Sequence, residues 1–167
     1  MARILIDGYN LIGIAHRDFE RARNELIQKL SDYAKTTGHS ITVVFDGWKN
    51  GQATETKIKT GGITVIYSSL GEKADDVITN ILSSSTKPFI IVSSDREIAR
   101  FAERKNAVAI ASDAFEKRLY AVLDAGDRYE EALENDEDFD AGQKRKKGNP
   151  RKLSRKDKRI TEALKKL

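Results

Sequence analysis

Four acidic positions in this chain fall where a short apolar run ends or where the helix after it begins. Asp7 follows Ile4-Leu5-Ile6, the pair Asp75-Asp76 comes after Thr64-Val65-Ile66-Tyr67, and Asp95 comes after Phe89-Ile90-Ile91-Val92. If those runs are parallel strands of one sheet, their carboxyl ends share a crevice. Carboxylates delivered there crowd together, and like charges at close range are costly unless a cation neutralises them. Hard divalent cations such as magnesium take oxygen ligands of this kind. Each residue also has a plainer use. An Asp-Gly after a strand makes a turn, and Asp75, Asp76 and Asp95 suit the positive end of a helix dipole. Capping alone does not account for two adjacent carboxylates beside an apolar helix face, nor for three such sites at three strand ends. The pattern points to metal-dependent phosphoryl transfer. Asn10 adds an amide that can orient a carboxylate or a phosphate oxygen. Asp46, after Ile41–Phe45, either borders the site or makes a turn, and Asp113 is either a further ligand or a helix cap. His16 and His39 stand away from the strand ends and read as surface residues.

The elements that must position these groups alternate. Apolar runs of three to five residues at Ile4–Ile6, Ile41–Phe45, Ile63–Tyr67, Phe89–Val92 and Val108–Ala111 are separated by helical periodicity, the pattern of βαβ units and a mostly parallel sheet. The first helix carries Phe19, Ala22, Leu26, Ile27, Leu30, Tyr33 and Ala34 at spacings of three or four. A second carries Ala74, Val77, Ile78, Ile81 and Leu82, a third Ile98, Phe101 and Ala102. A fourth, capped by Ser112 or Asp113, carries Phe115, Leu119, Val122 and Leu123. Right-handed crossovers then put every strand end on one side. The connection Gly47 to Gly62 shows no stripe and is long for a loop, which favours a functional segment. Its Trp48, Lys49, Lys57 and Lys59 suit stacking on and pairing with a nucleic acid, or Trp48 is a packing anchor among solvated lysines. A Gly-rich phosphate loop is absent, which argues against nucleotide and dinucleotide cofactors.

Charge is distributed unevenly. Of the 167 residues, the last 26 carry 12 Lys and Arg against two Asp and Glu, leaving 18 against 24 in residues 1–141. An acidic body with a basic tail suggests a polyanionic partner. Lys144, Arg145, Lys146, Lys147, Arg151 and Lys152 precede a final amphipathic helix, capped by Ser154, that bears Arg155, Lys156, Lys158 and Arg159. Ile160, Ala163, Leu164 and Leu167 lie on its other side. The alternative is that this tail folds back on the acidic stretch Glu130 to Asp140. We divide the chain into residues 1–126, a nuclease-like domain, and residues 127–167, an acidic segment, basic linker and basic helix. With no cysteine there are no disulfides or thiolate sites. No apolar run approaches the roughly 18 residues that span a bilayer. A soluble cytoplasmic protein without a membrane partner is expected.

The order Asp7-Gly8-Tyr9-Asn10, then Gly71-Glu72-Lys73-Ala74-Asp75-Asp76, then Ser93-Ser94-Asp95-Arg96-Glu97 resembles the YacP-like NYN domains of the PIN-like nuclease superfamily, over about residues 3 to 123. The resemblance implies a three-layer Rossmann-like α/β fold with a five-stranded, mostly parallel sheet. It implies a metal-binding cluster of Asp7, Asp75, Asp76 and Asp95, supported by Asn10 and Ser93. Flap-type DNA nucleases show a related motif, but Lys73 stands where they carry an acidic residue, which tilts the reading toward RNA. The activity implied is an endoribonuclease using magnesium or manganese, with messenger RNA as substrate and the ribosome as a candidate partner. The rivals are a non-catalytic RNA- or ribosome-binding factor, a flap-type DNA nuclease, and a phosphatase. The last would need a D-x-D motif where Tyr9 stands.

Overall fold

The apolar runs pair as strands because most of their side chains are buried on both faces of the sheet, the condition that makes parallel strands read as continuous hydrophobic runs. The computed structural model describes residues 1–13, 18–47, 54–135 and 155–167, with side chains as far as residue 126 in the long helix. Its elements are β1 (Arg3–Asp7), α1 (Gly8–Ile12), α2 (Phe19–Thr37), β2 (Ser40–Phe45), β3 (Thr56–Thr60), β4 (Ile63–Tyr67), α3 (Ala74–Ser84), β5 (Ile90–Val92), α4 (Arg96–Arg104), β6 (Val108–Ile110), α5 (Ser112–Asn135) and α6 (Arg155–Lys166). The sheet order is β3-β4-β2-β1-β5-β6. Every pair is parallel except β3 with β4.

Alternation along the strands builds three layers. Ile4 and Ile6 of β1, with Ile41, Val43 and Phe45 of β2, join Leu26, Leu30 and Tyr33 of α2 and Phe115 and Leu119 of α5 in one core. Leu5, Val44, Ile66 and Ile91 point the other way, onto Val77, Ile78 and Ile98 of α3 and α4. Each fully buried Leu or Ile contributes roughly 1.5–3 kcal/mol.

From β1 the chain works outward through β2 to β4 and then returns to place β5 on the other side of β1. The order reverses between β1 and β5, and such a switch point opens a crevice at the carboxyl ends of the strands.

Sequence reading gives five strands and an unstructured connection from Gly47 to Gly62; the sheet has six. The extra strand, β3, lies at the edge with four of its five residues exposed, so it carries no buried alternation to detect. A signal did exist in Gly61-Gly62, whose φ values of +54° and +85° form the two-residue hairpin turn between Thr60 and Ile63.

The final helix is packed into the body. Ala163 and Leu167 are buried in the first core, the Tyr33 hydroxyl donates to the Leu167 carbonyl at 2.6 Å, and Lys156 pairs with Glu103 at 2.6 Å. The division drawn at residue 126 falls inside α5, which continues to Asn135. His39, read as a surface residue, is half-buried, its Nδ1 accepting from the Ala2 amide at 3.3 Å. His16 lies outside the described residues. Among the described residues no helix is long and apolar enough to cross a membrane.

Candidate active site

Where β1 ends, Asp7 is 7% exposed and caps α1, accepting from the Asn10 amide at 3.1 Å through Oδ1. Its Oδ2 faces the Ser93 hydroxyl at 3.4 Å. Where β2 ends, Asp46 accepts from the Ala74 amide at 2.6 Å and so caps α3, 28 residues away in sequence. The neighbouring Gly47 is needed for close approach, since a Cβ there would lie 1.7 Å from the Ser68 carbonyl oxygen. Where β5 ends, Asp95 caps α4, its Oδ1 accepting from Glu97 at 2.6 Å and Ile98 at 3.3 Å. Asp75 is half-buried in the first turn of α3.

The charges gathered here act on Asp7 and on Asp75. Burial lifts the Asp7 carboxyl to about 6, against its hydrogen bond from Asn10, with the charges of Asp75 and Asp46 adding to the rise. Burial also raises Asp75, helped by Asp95, Asp46 and Asp76. Asp76, about 100° further round the helix, is exposed, and it accepts from the Lys73 amide at 3.3 Å in an ordinary capping contact. Asp113 is exposed in the first turn of α5 and is not among the charges acting on Asp7 or Asp75.

Amides and hydroxyls hold the switch point together. Asn10 Oδ1 accepts from the Ser94 amide at 2.8 Å and from the Ser112 hydroxyl at 2.6 Å. Ser93 Oγ accepts from the Asp95 amide at 3.1 Å, and Ser94 Oγ from the Ser112 amide at 3.1 Å. On the β2–β4 side stands an aromatic wall of Tyr9, Phe19, Phe45 and Tyr67. Arg23 of α2 leans over the Tyr67 ring at 5.5 Å. Ser94, Ser112 and Arg23 were not singled out as site residues from the sequence. The first two share a visible signal, a serine two residues beyond a strand.

Oxygen donors of this kind suit a hard divalent cation. Asp46 and Asp95 each accept from backbone amides through Oδ1, and among the described residues no partner holds their Oδ2. Among the described residues no three such side chains converge closely enough to chelate an ion as they stand.

The basic residues of α6 belong to the opposite end of the sheet. Arg155, Lys156, Lys158 and Arg159 are exposed there, and Arg159 donates to the Asn106 carbonyl at 3.1 Å. Beside them the starts of β1, β5 and β6 form an open cavity of about 600 Å³ lined by Arg3, Lys87, Arg159 and Lys166. Lys57 and Lys59 are exposed on β3. Trp48, Lys49, Lys144, Arg145, Lys146, Lys147, Arg151 and Lys152 lie outside the described residues.

The fold and the sequence are both matched elsewhere. Two crystal structures of Rae1 (YacP) from Bacillus subtilis superpose on 81% of this chain. The first, of a tryptophan-to-leucine mutant, gives a TM-score of 0.68 at 23% identity over 85% of its own chain. The second gives 0.65 at 24% identity over 83%. At these identities the likeness is one of fold. The uncharacterized protein YacP of Bacillus subtilis (strain 168) is 35% identical over 85 residues, which are 47% of this chain and 49% of that protein. The chain thus aligns with about half the length of that relative. The model of the YacP-like NYN domain matches residues 4–167, nearly the whole chain, so this protein belongs to the YacP-like NYN family of the PIN-like nuclease superfamily, whose domains are generally dependent on divalent metals.

Proposed function

We propose that the protein is an endoribonuclease that hydrolyses phosphodiester bonds in RNA with magnesium or manganese. Its substrate is messenger RNA and the ribosome is a candidate partner. The observation that supports this reading is the gathering of carboxylates at the strand ends, where Asp7 is buried beside the charges of Asp46 and Asp75, and Asp75 is half-buried beside those of Asp95 and Asp46. Holding Asp7 almost fully buried beside Asp46 and Asp75 works against folding, and a bound cation would remove that cost.

Asp7, Asp75 and Asp95 would hold the ion, with Asp46 completing the oxygen set and Asp76 facing solvent beside it. A bound divalent ion supplies a water deprotonated near neutral pH and neutralises charge building on the phosphate. The chain does the positioning. The backbone amides capping Asp7, Asp46 and Asp95 leave each carboxylate little freedom to turn, and Ser93 ties Asp7 to the Asp95 backbone. Water adds to phosphorus, the bond to one ribose oxygen breaks, and that oxygen leaves with a proton.

A non-catalytic RNA-binding factor would use the basic end of the sheet alone. It would have no use for carboxylates that repel RNA at the other end. The test is incubation of labelled messenger RNA, with and without ribosomes, in magnesium, manganese or EDTA. Cleavage that needs either metal and stops in EDTA is expected. Intact RNA in every condition, or cleavage indifferent to EDTA, would sink the reading.

A further inference from the structure

The hydrogen bonds around Asn10 decide which end of its side chain a substrate meets. Its Oδ1 accepts from the Ser94 backbone N–H and from the Ser112 hydroxyl. A backbone N–H can only donate, so turning the amide round would set donor against donor. An amide oxygen has two lone pairs. Both are engaged here, so Oδ1 has none left for a cation. The Nδ2 group, with two N–H donors, bonds to no other described residue, and Asn10 is partly exposed. It sits in α1, directly capped by Asp7, and Ser93 links Asp7 to the backbone of Asp95. Asn10 is therefore bonded to Asp7 through its own backbone and to Ser94, the residue before Asp95, through its side chain.

Ser112 closes this arrangement from the far edge of the site. It is 7% exposed, and its amide and hydroxyl bond to Ser94 and Asn10. Three hydrogen bonds thus tie α1, the segment after β5 and the start of α5 into a ring.

We infer that Asn10 is a substrate contact rather than a metal ligand, donating from Nδ2 to a non-bridging oxygen of the scissile phosphate, and that Ser112 is the positioning residue that keeps it so. This rests on the nuclease reading above. Negative charge on those oxygens grows as water adds to phosphorus, and a donor already fixed in place stabilises it without reorganising.

The test is a double-mutant cycle read in two ways: manganese affinity by electron paramagnetic resonance, and kcat/KM on a short single-stranded RNA. Asn10→Ala should lower kcat/KM about 10- to 100-fold, the worth of a hydrogen bond to a charged group, and leave manganese affinity within about twofold. Ser112→Ala should cost less, Ser112→Thr should restore most of that loss, and the double variant should be no worse than Asn10→Ala alone. RNA affinity measured with calcium in place of manganese should follow the same order. A tenfold loss of manganese affinity in Asn10→Ala would make Asn10 a ligand and overturn the assignment. Losses that add in the double variant would make Ser112 a brace with no part in orienting Asn10. Wild-type protein that neither binds manganese nor cleaves would instead sink the nuclease reading itself, and this inference with it.

Discussion

At the carboxyl ends of the strands, Asp7, Asp46, Asp75 and Asp95 are buried or half-buried, and like charges press on Asp7 and Asp75. At the amino ends, Lys87, Arg159 and Lys166 stand exposed around an open cavity, with Arg3 laid over the Phe89 ring at 4.0 Å. Five residues of strand, roughly 17 Å, separate the two ends. Solvated charges are screened and change stability little. Charges taken out of water near others of the same sign cost stability, and perturbed groups of that kind cluster at functional sites. In the proposed function the acidic end carries the chemistry, and the basic end at most holds RNA.

The largest contrast should appear in catalysis. Asp7→Asn and Asp95→Asn are each expected to lower kcat by about a thousandfold, since an ion that loses a ligand loses several kcal/mol of charge stabilisation. Neutralising Arg155 and Lys158 together should leave kcat on a short RNA unchanged. A loss under tenfold in both aspartate variants would remove the distinction between the two ends.

Stability should move in the opposite sense. The Asp7 carboxyl is raised from 3.8 to about 6 in the folded protein. Its contribution is therefore fully present below pH 3.8 and is lost as pH rises through 6. In metal-free protein, Asp7→Asn should gain on the order of 1–3 kcal/mol at pH 7.5 and flatten the dependence of Tm on pH between 4 and 7. Unchanged Tm at pH 7.5 would mean that neither burial nor the neighbouring charges burden the Asp7 carboxylate.

A finer comparison lies within the acidic end. Asp46 accepts from α3 and acts on both Asp7 and Asp75, while Asp76 caps its own helix in solvent. Asp46→Asn should weaken manganese binding roughly tenfold, in the range for groups supporting a metal, and Asp76→Asn no more than about twofold. Calorimetric titration of the two variants separates them, and equal losses would place Asp76 on the ion as well. The smallest effect belongs to α6. Glutamine at Arg155 and Lys158 should reduce the salt dependence of RNA binding by about 1.4 in log–log slope, at about 0.7 per phosphate on a single strand, and shift stability by less than about 0.5 kcal/mol.

How much of this was legible in the chain follows from range. β1, β2, β4, β5 and β6 are apolar because helices cover both faces, and burial on that scale is written locally. Asp7, Asp75 and Asp95 could be picked out because each stands beside such a run. β3 was missed because solvent bathes it, leaving only its glycine turn as a mark. The reach of Asp46 to Ala74 and of Ser112 to Asn10, across 28 and 102 residues, exists only once the strand order is known. Sequence reading therefore leaves Asp46 as a turn or a border residue and Ser112 as a helix cap. The docking of α6 is a similar case. Its apolar stripe was visible, but the Tyr33–Leu167 bond that seats its end spans 134 residues.

The central claim is that the coupled carboxylates are a cation site, and manganese titration followed by electron paramagnetic resonance tests it most directly. At pH 7.5 saturable binding is expected, accompanied by a rise in Tm, because an ion that binds the folded chain stabilises it. Near pH 6 binding should release protons, since ligands must be deprotonated. Asp95→Asn should weaken the binding at least tenfold. Absence of saturable binding, or an affinity untouched by both Asp7→Asn and Asp95→Asn, would contradict it.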